Sequence, residues 1–195
     1  MRGWKWFGLA VAIIAGGALF MQVSGQEKTA EQSAAAAKPE FGYAGSKACM
    51  MCHKSVEKGD QYGKWLNSPH AKAHAALTTE KAAKIAAEKG LKQPAAEAPE
   101  CIRCHVMGWN AKPELLGKDC VKTEGIGCES CHGPAAQYKM VHQKDLAKAK
   151  TLGMIEPNEA LCRSCHNEQS PTYKAFDFAK MSAVIAHPNP KKAQK

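Results

Sequence analysis

Apolar positions fall into two patterns along this chain. At the start, an unbroken apolar run over residues 7–21 follows Arg2 and Lys5 and precedes the small residues Val23, Ser24 and Gly25. A charged start, a short apolar stretch and a small-residue end predict an export signal over 1–25. The run is short for a membrane span, which favours cleavage over retention as an anchor. Residues 26–40 are Ala-rich, polar and aperiodic, and read as a disordered linker.

From residue 41 onward, apolar positions recur at helical spacing in short stretches. Residues 59–77 carry such a pattern, broken at Ser68-Pro69 because proline disfavours helix at the residue before it. Residues 78–89 read as a helix with a Thr cap and Glu80 in its first turn, stopped by Gly90. Further short helices are expected at 135–142, at 145–151, over 157–165 with Pro157 in the first turn, and at 172–187. Residues 108–127 hold four Gly and a Pro and read as loop with at most a small hairpin. The end, 189–195, is a basic tail. The expected fold class is mostly α, helices and loops with little sheet.

Composition changes that picture. Over 41–195, Leu, Ile, Val and Phe together number only 21 of 155 residues. A chain this poor in large aliphatics cannot bury enough apolar surface on its own to offset chain entropy. A body over 41–188 therefore needs a core that side chains do not supply.

The cysteines name a candidate. Eight of nine sit in four C-x-x-C-H units. These are Cys49, Cys52, His53; Cys101, Cys104, His105; Cys128, Cys131, His132; and Cys162, Cys165, His166. Each unit is a covalent attachment site for c-type haem: two thioethers to the porphyrin, and the histidine on the iron. A four-thiolate zinc site from Cys101, Cys104, Cys128 and Cys131 is the alternative. It leaves the four histidines unexplained. Four covalently bound haem c groups would supply the missing core, and attachment would be coupled to folding. Their propionates would also offset the formal net charge of +9, so the lysine excess does not call for nucleic acid. An acidic redox partner is the second reading of that charge.

Four histidines lie outside the units: His70, His74, His142 and His187. A c-type iron in an electron carrier takes a second axial ligand, His or Met. His70, His142 and His187 are the candidates. His74, four residues after His70 on the same helical face, is a weaker candidate ligand, a supporting donor or a solvated side chain. Cys120 is a buried thiol or a link between chains.

Three stretches carry a family resemblance: WLNSPHAKAHAAL after the first unit, GIGCESCHGP at the third and CRSCHNEQSP at the fourth. Together they resemble the cytochrome c-554 family of multihaem c-type cytochromes, over residues 43–187. The resemblance implies a mostly helical fold around four closely packed haems in stacked pairs. It implies His142 opposite His53, His187 opposite His132 and His70 opposite His166. The second haem, on His105, is then left five-coordinate, with Ser170-Pro171 passing over its open face. Two departures stand out: the chain is shorter between the third and fourth units and after the fourth, and His74 stands where the family has an apolar residue.

The function that follows is electron transfer between periplasmic redox proteins, a donor and an acceptor, by an exported tetrahaem cytochrome with no membrane span once the signal is cleaved. No catalytic residue is assigned. One alternative is reduction of nitric oxide or a related small nitrogen compound at an open iron on His105. Another is a subunit of an extracellular multihaem assembly, and the oligomeric state is open.

Overall fold

The helices here are short, and a side chain caps the start of more than half of them. A computed structural model describes residues 40–188. The export signal, nearly all of the linker and the basic tail lie outside the described residues. Nine α-helices occur among them, none longer than nine residues. They are α1 (Ser46–His53), α2 (Gln61–Leu66), α3 (Ala73–Ala76), α4 (Glu80–Glu88), α5 (Pro99–Ile102), α6 (Cys128–His132), α7 (Leu146–Thr151), α8 (Glu159–Arg163) and α9 (Phe178–Ile185). Helices this short are marginal alone. Five of them are held at their start by a side chain that accepts an orphan amide: Asp60 at α2, Thr79 at α4, Asp145 at α7, Asn158 at α8 and Asp177 at α9. Each such cap is worth about 1 kcal/mol.

Most expected elements are present. The 59–77 pattern is α2, then a 3-10 turn at His70–Lys72, then α3, with the break at Ser68-Pro69. Residues 108–127 form loop with two 3-10 turns, Pro113–Leu115 and Lys122–Glu124. No strand forms among the described residues; one isolated parallel bridge joins Tyr43 and Leu116.

Three expectations need correction. Residues 135–142 are consecutive turns rather than a helix. The Ala136 amide is taken by Gly42, and only scattered turn bonds follow: Lys139 to the Ala135 carbonyl (2.9 Å), and Val141 (2.8 Å) and His142 (3.0 Å) both to the Tyr138 carbonyl. Pro157 lies outside the first turn of α8, because Asn158 takes the cap. Residues 172–177 stay out of helix: Asp177 caps α9 at Phe178, and the Phe176 carbonyl accepts from Arg163 (3.2 Å).

The buried apolar set is small and made of small residues. Seven of its ten members are alanine, and only Val106, Met107 and Tyr138 are larger. Two clusters form, one of Ala44, Ala135, Tyr138 and Ala149, the other of Ala82, Ala86 and Ala95. Large apolar side chains such as Met51 (83% exposed) and Val184 (78%) stay outside both. Side chains alone do not give a body of this length the core it needs.

Candidate functional site

All four C-x-x-C-H units sit on a helix or run off its end. α6 is itself the unit Cys128–His132, and α1 ends with Cys49, Cys52 and His53. α5 carries Cys101, and Cys104 and His105 continue its turn; α8 carries Cys162, and Cys165 and His166 follow. Helical spacing puts the two cysteines of each unit three apart on one face, with the histidine one residue on. All nine cysteines are free thiols.

The histidines then meet in pairs. His53 faces His142, His132 faces His187 and His70 faces His166, each with ring centroids 5.9 Å apart. An imidazole nitrogen lies about 2 Å from a metal it binds, so two imidazoles on opposite sides of one ion place their centroids roughly 6 Å apart. Direct ring stacking would be closer. The separation fits one iron between each pair. The ring planes differ: His53 and His142 are near parallel at 17°, while the other two pairs are near perpendicular at 77° and 72°.

The surroundings favour neutral, oriented rings. Burial pushes the pKa values of His53, His70, His132 and His166 below the ordinary histidine value, which keeps a nitrogen lone pair available. Nδ1 of His187 lies 2.9 Å from the Ile185 carbonyl, and that of His105 2.6 Å from the Ala73 carbonyl. Nδ1 of His53 faces Gln61 Oε1 and that of His142 faces the Tyr138 carbonyl, both at 3.4 Å. Occupying Nδ1 fixes the tautomer and leaves Nε2 for a metal. His166 is held instead by Phe176, stacked at 4.8 Å and 20°.

His105 stands apart. No second imidazole faces it among the described aromatic pairs, and the Ala73 carbonyl sits behind its ring, at Nδ1. α3 therefore lies on the far side of His105 from Nε2. His74 is on that same short helix and enters none of the described imidazole pairs.

The attachment cysteines also meet across units. The Cys49 thiol lies near that of Cys128, and the Cys104 thiol near that of Cys165. Cys131 is close to Cys162 and Cys165. The spatial order of the units is thus first, third, fourth, second. A zinc site needs four ligands converging on one point. Among the described residues no group of three or more His, Cys, Asp or Glu does so. Cys120 is a half-buried thiol pushed up to about 11, mainly by burial, so little of it is thiolate at neutral pH.

Residues outside the attachment cysteines and the paired histidines hold the first and third units together. Glu129, inside the third unit, is 3% exposed. Its carboxylate accepts from the amides of Ala44 (2.8 Å), Gly45 (2.7 Å) and Ala135 (2.6 Å). Ser46, fully buried, accepts from the Cys128 amide at 3.0 Å. Gly133 ends α6 at φ 80°, and a side chain there would meet the Gly153 carbonyl; only glycine suits both constraints. The sequence offered the GCESCHGP context as a marker, but no role for Glu129.

Comparison with known proteins points to one family. The family described as cytochrome c554 and c-prime matches residues 48–133, which hold the first three units. Cytochrome c-554 of Nitrosomonas europaea is 30% identical over 153 residues, 71% of this chain and 62% of that protein. The chain thus spans less than two thirds of that relative's length. The structure of reduced cytochrome c554 from Nitrosomonas europaea superposes with a TM-score of 0.50 at 26% identity, covering 80% of this chain and 84% of that one.

Proposed function

This chain belongs to the cytochrome c-554 family, and from that premise we propose that it is an exported electron carrier with four covalently bound haem c groups. Bound haem supplies one-electron chemistry at iron; the rest is positioning by the protein. The observation that carries the reading is the set of three facing histidine pairs, each spaced for one iron. Imidazoles fixed on both sides of a metal leave little to rearrange when charge arrives or leaves. His53 with His142, His132 with His187 and His166 with His70 would hold three irons, and His105 the fourth. The eight unit cysteines hold the porphyrins in contact order. The partners are redox proteins outside the cytoplasm, one donor and one acceptor. No helix among the described residues is long and apolar enough to cross a membrane.

One observation favours a second reading. His105 lacks a facing imidazole, so an iron there would be open to a small nitrogen compound such as nitric oxide. A single preparation tests both readings. Haemochrome quantitation returns four haems per chain; two or none ends the main reading. Low-temperature EPR of the oxidised protein shows three low-spin centres and one high-spin centre that responds to nitric oxide. Four low-spin centres in a monomer would end the second.

A further inference from the structure

The only large aromatic in the buried set is Tyr138 (5% exposed), and it touches the ligand histidines of two different units. Its hydroxyl donates to the His132 carbonyl (2.9 Å) and the Gly133 carbonyl (3.0 Å), at the C-terminal end of α6. Its ring meets the His142 ring edge to face, with centroids 6.0 Å apart at 86°. Its carbonyl accepts from the His142 amide (3.0 Å) and faces His142 Nδ1 (3.4 Å). Tyr138 is six residues after one ligand and four before the other, and it is clamped to both.

We propose that Tyr138 is a positioning residue that locks His132 and His142, and so couples the ligand geometry of the first and third iron centres. This rests on the haem reading above. The physical basis is the end of α6. The His132 carbonyl keeps a second donor, the Ile155 amide at 3.0 Å, but the buried Gly133 carbonyl has the Tyr138 hydroxyl alone among its described partners. A helix carbonyl buried without a donor is costly. Loss of the hydroxyl frees the C-terminal turn that aims His132. The Tyr138 ring, no longer anchored, shifts against His142. The backbone link to His142 remains, so the change reaches that ring through packing.

The two centres have different signatures. Near-parallel imidazole planes at His53 and His142 give a well-resolved rhombic low-spin ferric signal. The near-perpendicular pairs give highly anisotropic signals at large g. The test is Tyr138→Phe in the holoprotein, read by EPR after haemochrome quantitation. The expected result is four haems per chain, with the rhombic signal and one of the two anisotropic signals displaced together. Displacement of one signal alone, or of none, at full haem load overturns the coupling. If Tyr138→Phe loads haem poorly, 3-fluorotyrosine at 138 replaces it. This residue keeps the ring and the donor but makes the hydroxyl more acidic. Both signals must then move together, and movement of only one overturns the proposal. Wild-type protein without haem would instead overturn the electron-carrier reading, before any variant is compared.

Discussion

Around the first and third units, the bonds that join the chain are buried. Around the second and fourth, the side-chain bonds lie at the surface, apart from the contact of His105 with the Ala73 carbonyl. In the first region Ser46 and Glu129 are almost inaccessible, and Glu129 alone gathers amides from two segments far apart in sequence. In the second, Arg103 reaches Gln169 (2.5 Å) and Arg163 pairs with Glu159 (2.7 Å), all four exposed, and Arg163 lies over the half-buried Phe176. Exposed pairs of this kind contribute about 0–1 kcal/mol each. A carboxylate with three buried amide partners contributes far more, since removing it orphans all three donors. The rigid region holds two facing histidine pairs. The other holds one facing pair, His70 with His166, and His105, which faces no second imidazole among the described residues.

The largest effect expected breaks that contrast directly. Glu129→Ala leaves the amides of Ala44, Gly45 and Ala135 without an acceptor, a loss on the order of 4 kcal/mol at about 1–3 kcal/mol per orphaned group. Arg103→Ala, its counterpart in the second region, costs under about 1 kcal/mol. Guanidinium unfolding of the holoprotein, followed by haem absorbance, measures both. Equal losses would mean that the two regions are held alike.

Next in size are the ligand substitutions. His142→Ala or His187→Ala converts one low-spin centre to high spin. His74→Ala leaves the spin count unchanged, because His74 enters none of the described imidazole pairs. EPR spin quantitation decides, and a new high-spin centre in the His74 variant would return that residue to the ligand set.

How much of this the sequence shows depends on distance along the chain. Covalent attachment chemistry is local, so the four units are legible from spacing. His70, His142 and His187 are legible as candidates because few histidines remain. Which unit each one faces is not, since the partners lie 55 to 96 residues away and only the family resemblance supplied the pairing. Glu129 and Tyr138 were silent for a related reason. A glutamate between two cysteines on a short helix looks solvated until Ala44 and Gly45 arrive from 85 and 84 residues away. Residues 135–142 have good helix formers, but the contacts of Ala136 and Tyr138 override propensity.

A smaller effect separates the regions by how their proximal histidines are held. His53 meets a side chain, Gln61 Oε1, whereas His105 meets a backbone carbonyl. Only the first can be altered by substitution. Gln61→Glu makes His53 a stronger donor to its metal and lowers the midpoint potential of that centre; Gln61→Leu raises it. Spectroelectrochemistry should show one centre moving and three still. A uniform shift of all four would point to general electrostatics rather than to this contact.

The smallest effect lies at the edge of the rigid region. Glu124 Oε2 accepts from the Ser46 amide at 3.1 Å, while Oε1 is buried without a partner. Burial is the main cause that raises its pKa above the ordinary carboxyl value. A carboxyl whose folded pKa is raised favours the folded state in its protonated form. That contribution is complete below the unfolded pKa and is lost as pH rises through the folded one. Glu124→Gln keeps a carbonyl for Ser46 and carries no charge to lose. The variant should therefore match wild type at acid pH and gain on it as pH climbs past the carboxyl range. Half exposure of the group keeps the gain below about 1 kcal/mol. Unfolding midpoints of both proteins between mildly acidic and neutral pH measure it. A gain that instead grows toward acid would mean that the ionised Glu124 stabilises the join between α1 and α6, and that the buried bonds around Ser46 depend on its charge.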